Sequence, residues 1–345
     1  MRFLLLIVIA LTSGCAQSTI ANSPTSTPES FHPKGRIIYS TRHSIFSFDI
    51  ESGTTNTIFS TDKDQYYSFV VQDSIYVSMG DGISGDIFKM NLDGIGFEQL
   101  TYDGNSIYFS ISPNGNYLAY SHIPNQLFVL DLQTKKSQMV YEKNGFAFIL
   151  GPWSPDGEEF FFTQRSLTPE SSYYPVSPVF LYTLEDKSTI ELFPAVVDFG
   201  YSSVPTWSPD GKNIVVNVVA ESQLDDIGIY ILNTETNSFQ EVATDIVADQ
   251  FEWSPNGNIL IYTNWVEPKS LNLFDMTNKK TKVLYEGETS WYANYQLWSP
   301  NGKYIAYFTN ISGSPWYLNV QDIKSGESQI FEISPAINGA IWIEK

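Results

Sequence analysis

One cysteine, Cys15, occurs in the 345 residues, so no disulfide can form within the chain. Basic residues are scarce: 19 Lys and Arg stand against 38 Asp and Glu, a formal charge of −19. A field of that sign repels phosphate backbones and anionic membrane surfaces, so nucleic acid is not expected as a partner. Histidines number three, and only His43 and His122 fall where strands end; two separated imidazoles cannot fill a metal site, so no metal or other cofactor is expected. No Gly-x-Ser-x-Gly pentapeptide occurs, which removes the nucleophile elbow of an α/β-hydrolase.

Two motifs are present in form without their context. Gly80-Asp-Gly-Ile-Ser-Gly85 fits the dinucleotide pattern, but it runs from one apolar strand into another instead of into a helix, and Asp81 and Asp86 would repel a pyrophosphate. It reads as a flexible interstrand loop. Asp81 with Asp86, or Asp62 with Asp64, could lend oxygens to calcium, yet neither pair follows the ligand ladder of a calcium loop.

Long apolar runs are also missing. Residues 3–11 form a nine-residue apolar stretch after Arg2, too short for a bilayer and the right length for a signal-peptide core. The Thr12-Ser-Gly-Cys15 that follows resembles the lipobox of bacterial lipoproteins. That resemblance implies a signal peptide over 1–14, lipid attachment at Cys15, and residence in the bacterial cell envelope facing periplasm or outside, with the lipid as the membrane contact. Residues 16–30 are rich in Ser, Thr and Pro, so 15–34 reads as a lipidated, unstructured tether and 35–345 as the folded body.

What the chain has in quantity is a repeat. Ile111-Ser-Pro-Asn-Gly, Trp153-Ser-Pro-Asp-Gly, Trp207-Ser-Pro-Asp-Gly, Trp253-Ser-Pro-Asn-Gly and Trp298-Ser-Pro-Asn-Gly lie 42, 54, 46 and 45 residues apart. In each, the aromatic or apolar residue closes a strand. Proline then presets a turn, Asp or Asn tolerates its third position, and Gly takes the left-handed one. Second strands fall in phase from Ile37, Ile75, Leu118, Phe160, Ile214, Leu260 and Ile305, and third and fourth strands follow each. Seven four-stranded units of this period spell an all-β, seven-bladed β-propeller of antiparallel blades. The second unit has lost its Trp and its Pro-Gly turn. Trp342, 44 residues beyond Trp298, supplies the strand that the first unit lacks, so the C-terminal strand is expected to complete blade one and close the ring.

These hairpins resemble those of TolB-like and WD-repeat-like propellers, over nearly the whole of 35–345. The resemblance implies the fold and little of the function, because its members include partner-binding periplasmic scaffolds, propeller domains of prolyl oligopeptidase-type peptidases, and lyases. The Pro-Asx-Gly turns share one face of the disk, and the loops after second and fourth strands share the other. To that other face the sequence assigns Tyr102, Asp103, Tyr173, Tyr174, Phe199, Tyr201, Trp265, Trp291, Tyr292 and Trp316 as candidate binding residues. Tyr and Trp on loops give large contact area with a polar handle. The expectation is a monomeric, envelope-anchored, non-catalytic module for a protein, peptide or glycan. Its alternatives are a carbohydrate-active lyase or hydrolase using acidic residues at the channel, and a structural partner binding through the blade sides.

Overall fold

The computed structural model describes residues 31–345 apart from 82–83, 167–175, 198–204, 219–227, 247, 265–267, 288–290, 312–314, 334–336, 338 and 345. Cys15 and the leader therefore lie outside the described residues.

The chain lays down its strands blade by blade. Blade one takes β1 (Arg36–Ser40), β2 (Ser44–Asp49) and β3 (Thr54–Ser60); blade two takes β4 (Asp64–Val71), β5 (Ser74–Asp81), β6 (Ser84–Asn91) and β7 (Glu98–Gln99). Blade three is β8 (Ser106–Ile111), β9 (Tyr117–His122), β10 (Gln126–Asp131) and β11 (Lys136–Glu142); blade four is β12 (Phe146–Trp153), β13 (Glu159–Ser166), β14 (Val176–Thr183) and β15 (Ser188–Val197). Blade five has β16 (Thr206–Trp207), β17 (Asn213–Val218), β18 (Gly228–Asn233) and β19 (Ser238–Thr244); blade six has β20 (Ala248–Trp253), β21 (Ile259–Asn264), β22 (Ser270–Asp275) and β23 (Lys280–Glu286). Blade seven has β24 (Trp291–Trp298), β25 (Tyr304–Ile311), β26 (Trp316–Asp322) and β27 (Ser328–Ile333), and the chain ends in β28 (Gly339–Ile343).

Closure follows the expected route. β28 pairs antiparallel with β1, and Trp342 sits opposite Ile37 in the register that Trp153, Trp253 and Trp298 hold against Phe160, Leu260 and Ile305. The innermost strands β28, β4, β8, β12, β16, β20 and β24 each lie against the next, and β24 returns to β28. No blade buries its faces alone: Val215, Ile229 and Ile231 of blade five share a cluster with Phe251, Trp253 and Tyr262 of blade six. Removing such faces from water at ~25 cal/mol per Å² is the main force holding the ring.

The repeated turn explains itself atom by atom. In all five copies the serine hydroxyl donates to the Asp or Asn two residues on, at 2.5–2.9 Å. The same hydroxyl accepts the amide five residues on, and the Asx oxygen accepts another. The Gly adopts φ of 67–78°, where a side chain is strained. In three copies it also lies over the proline of the preceding blade: a Cβ on Gly211, Gly257 or Gly302 would stand 3.8, 3.7 or 3.5 Å from Cδ of Pro155, Pro209 or Pro255.

Lysines of the same face act as straps. Lys135 donates to Glu98, Lys187 to Gln138 and Lys279 to Gln240, each reaching the outer strand of the preceding blade from a backbone at φ of 57–58°.

Two departures from regularity appear. β7 is two residues long, so blade two keeps four strands with a vestigial outer one. β15 runs on past its own blade, and its Val196 pairs with Val218 of β17, joining blades four and five into one sheet. Val196 takes the place that Ala248 holds in blade six, opposite Asn264. From Ala248 to Trp253 is five residues, whereas from Val196 to Trp207 is eleven, so six extra residues interrupt the inner strand of blade five. The Gly80–Gly85 segment is tighter than the loop expected: β5 and β6 pair up to Asp81 and Ser84, and a Cβ on Gly80 would collide with the Ser84 carbonyl.

Candidate functional site

The turn face is built alike in blade after blade, and the opposite face is not. On that face the connection between second and third strands takes nine residues in blade four (167–175) and nine in blade five (219–227), and the interruption before β16 takes eight (198–205). Elsewhere the connections of this face span two to six residues. The three long segments thus leave from two adjacent blades. Together they contain Glu170, Asp198, Glu221, Asp225 and Asp226 and no Lys or Arg. Extra length at one place in a regular array is where function collects.

Several of the expected binding residues fall on these segments. Tyr173, Tyr174, Phe199, Tyr201 and Trp265 lie outside the described residues. Trp291 and Tyr292 belong to the start of β24 and not to a loop, with backbones opposite Ile311 and Asn310. Trp316 opens β26, half-buried, opposite Ile333. Tyr102 stands 77% exposed between blades two and three and donates its hydroxyl to the Gln99 carbonyl. Beside it, Asp103 accepts from the Asn105 amide and the Ser106 hydroxyl, so its carboxylate shapes the turn.

Below these loops the second strands end in a polar step. Ser40, Ser78, Ser121, Thr163, Asn217 and Thr263 occupy one register position in blades one to six, all buried, and Phe308 takes it in blade seven. Several of them tie the inner strands: Ser40 meets Ser68 at 2.6 Å, Ser78 accepts the Tyr67 amide, and Asn217 donates to the Ala248 carbonyl. At Ser121, Thr163 and Thr263 the hydroxyl has no partner among the described residues. Above blade four, Lys143 bridges the Phe146 ring and Gln164, whose amide in turn donates to the Tyr141 hydroxyl.

One ion pair joins blades one and two on this face. Arg42 holds Asp64 through two bonds of 2.6 and 2.8 Å, which lowers the Asp64 carboxyl below its ordinary value. Burial first, then Asp64 and Asp81, raise the Tyr66 hydroxyl. Asp86 accepts from Thr101, Gly104 and Gln99, stapling the end of blade two. Among the described residues no three His, Cys, Asp or Glu side chains gather as a metal site would require. His43 and His122 stand in blades one and three, the first against the Lys63 carbonyl and the second edge-on to Phe128.

One group escaped sequence reasoning. Glu252 lies on the innermost strand β20 between Phe251 and Trp253 and is half-buried. Burial alone pushes its carboxyl up to about 8. The available signal was positional: in the aligned repeats it is an acid where Thr206 and Leu297 stand.

Four-stranded blades in a ring of seven, with regular turns on one face and variable loops on the other, define a β-propeller. Residues 110–321 match the family model described as the TolB beta propeller domain, and the chain belongs to that family. It is 26% identical over 136 residues to dipeptidyl-peptidase 5 of Porphyromonas gingivalis, a match that covers 38% of this chain and 19% of that enzyme. Among solved structures it resembles an oligogalacturonate lyase of Vibrio parahaemolyticus, with a TM-score of 0.62, 13% identity and 88% of each chain covered. It also resembles TolB of Acinetobacter baumannii, with a TM-score of 0.54, 12% identity and 89% and 82% covered. At such identities the likeness is one of fold.

Proposed function

We propose that this protein is an envelope-anchored lipoprotein, held by a lipid on Cys15, whose propeller is a non-catalytic binding module for a protein, peptide or glycan. The observation that carries the reading is the placing of the three longest connections on one face of blades four and five. Tyr173, Tyr174, Phe199 and Tyr201 lie within them, interspersed with acids, and Trp265, Trp291, Tyr292 and Trp316 belong to blades six and seven of the same ring. Rigid aromatic rings on a fixed scaffold bind with little entropy loss, and the acids favour a ligand bearing positive charge or many hydroxyls. The test is affinity capture by residues 31–345 against envelope extract and a glycan panel, with Trp265→Ala and Trp291→Ala as paired variants. Capture that survives both would exclude this face.

A second reading, a carbohydrate-active lyase or hydrolase, is favoured by Glu252. A carboxyl that stays protonated at neutral pH suits a general acid. Glycoside hydrolysis calls for a second carboxylate within about 5–10 Å, and no other charged group contributes to the Glu252 shift. Turnover of any member of the glycan panel, lost in Glu252→Gln, would establish the enzyme.

A further inference from the structure

Asparagine followed by glycine occurs five times in the chain, at Asn114, Asn144, Asn256, Asn301 and Asn338. In this dipeptide the glycine nitrogen can close a five-membered ring onto the asparagine side-chain carbon, with no Cβ in the way. Asn338 lies outside the described residues, and the other four fall into two kinds.

Asn114, Asn256 and Asn301 belong to the repeated turn, which holds each of them by three bonds. Gly115, Gly257 and Gly302 donate their N–H to the serine carbonyl three residues back, each at 2.8 Å. Each Asn Oδ1 accepts the serine hydroxyl and the amide two residues on, at 2.8–3.1 Å. Ring closure requires the glycine nitrogen to leave its acceptor and the asparagine side chain to turn, so all three bonds must open first.

Asn144 is held otherwise. With Gly145 it forms an exposed turn between β11 and β12, on the loop face where blade three passes to blade four. Among the described residues the Gly145 N–H meets no acceptor. Gly145 has φ of 84°, and a Cβ placed on it would meet nothing within 4 Å, so a ring has room to form there. The hydrogen bond that the Asn144 side chain does make comes from Asn125, whose Nδ2 donates to Oδ1 at 2.6 Å. That donor opposes nothing: it faces the oxygen on which negative charge develops as the side-chain carbon is attacked.

We propose that Asn144 is a site of spontaneous modification, converted to aspartate and isoaspartate. The Gly145 nitrogen gives its proton to a solvent base and bonds to Asn144 Cγ; the Cγ–Nδ2 bond breaks and ammonia leaves. Water then opens the cyclic imide at either of its carbonyls, so water is consumed, ammonia is released and nothing is oxidised or reduced. A carboxylate replaces a neutral amide next in sequence to Lys143, whose ammonium bridges Gln164 and the Phe146 ring at blade four. The loop face thereby gains a negative charge, and in the isoaspartate form the main chain between the two blades lengthens by a methylene group.

The experiment holds the full-length protein folded in mildly alkaline buffer and, in parallel, unfolded in guanidinium chloride, and follows each asparagine by peptide mapping, where conversion adds about 1 Da. In the folded protein Asn114, Asn256 and Asn301 should convert on the order of a hundredfold more slowly than Asn144, because three hydrogen bonds of ordinary strength must open first. In guanidinium the four should convert at similar rates, and at Asn144 isoaspartate should accompany aspartate. Conversion of a hairpin asparagine as fast as Asn144 in the folded protein, an Asn144 that stays intact when folded while the unfolded chain converts, or aspartate without isoaspartate would overturn the proposal. The outcome does not depend on what the loop face binds.

Discussion

Pro209 of blade five lies against Gly257 of blade six, its Cδ 3.7 Å from where a Cβ on that glycine would stand. The contact recurs between Pro155 and Gly211 and between Pro255 and Gly302, so the repeated pentapeptide is a device for seating one blade on the next. Space for a Cβ exists at that distance; the obstacle is a φ of 70°. Gly257→Ala should lower stability by about 1–2 kcal/mol, the strain of a non-glycine residue in the left-handed region. Urea unfolding should show an earlier midpoint with an unchanged slope.

Ser208 connects the same turn internally, donating to Asp210 at 2.6 Å and accepting the Asn213 amide at 2.9 Å. The Ser208 hydroxyl, and after it the Lys212 amide, holds the Asp210 carboxyl below its ordinary value. Ser208→Ala should destabilise by about 1–3 kcal/mol at neutral pH, since a buried amide loses its acceptor. For Asp210 the folded-state value is the lower one, so its contribution is present above the unfolded value and disappears as pH falls through the folded one. The gap between wild type and Ser208→Ala should therefore narrow in acid, as thermal melts from pH 7 to pH 2 would register.

Ring closure rests on Trp342, 4% exposed, opposite Ile37, with its indole N–H on the Lys34 carbonyl at 3.0 Å. Trp342→Ala should cost about 3–5 kcal/mol through the cavity it leaves. Removing residues 337–345 strips the innermost strand from blade one and should abolish cooperative unfolding. A truncated chain that melts like the parent would contradict the closure.

Glu252 gives the opposite pH dependence from Asp210. Its folded-state value, about 8, lies above the ordinary 4.5, so the folded protein binds a proton that the unfolded chain has released between those values. Stability from this group falls as pH rises through that window and levels off above it. Glu252→Gln should flatten the decline and leave the protein more stable than wild type at pH 9 by on the order of 2–4 kcal/mol. Equal slopes in the two proteins between pH 5 and pH 8 would refute the assignment.

Sequence reasoning reached the architecture because the same local chemistry is written five times in phase. Once Trp298 and Trp342 are seen to be one period apart, both the blade count and the closing strand follow. It did not reach features that depend on one blade differing from its neighbours. The run of β15 into blade five leaves no mark in the strand pattern, since Pro194 to Val197 look like the end of any outer strand. Trp291 and Tyr292 read as loop residues in the sequence because no turn residue shows where β24 begins. Glu252 was invisible as one acid among 38, and stands out only once the ladder shows which residues share its level.

The central claim is that ligand binding belongs to the loop face over blades four and five. Its most direct test compares capture from envelope extract and a glycan panel by three equally folded proteins: wild type, Tyr173→Ala with Tyr174→Ala, and Lys303→Ala on the turn face. The account predicts that the double variant loses most of the captured ligand while Lys303→Ala retains it. Capture unchanged in the double variant, or lost in Lys303→Ala alone, would contradict it.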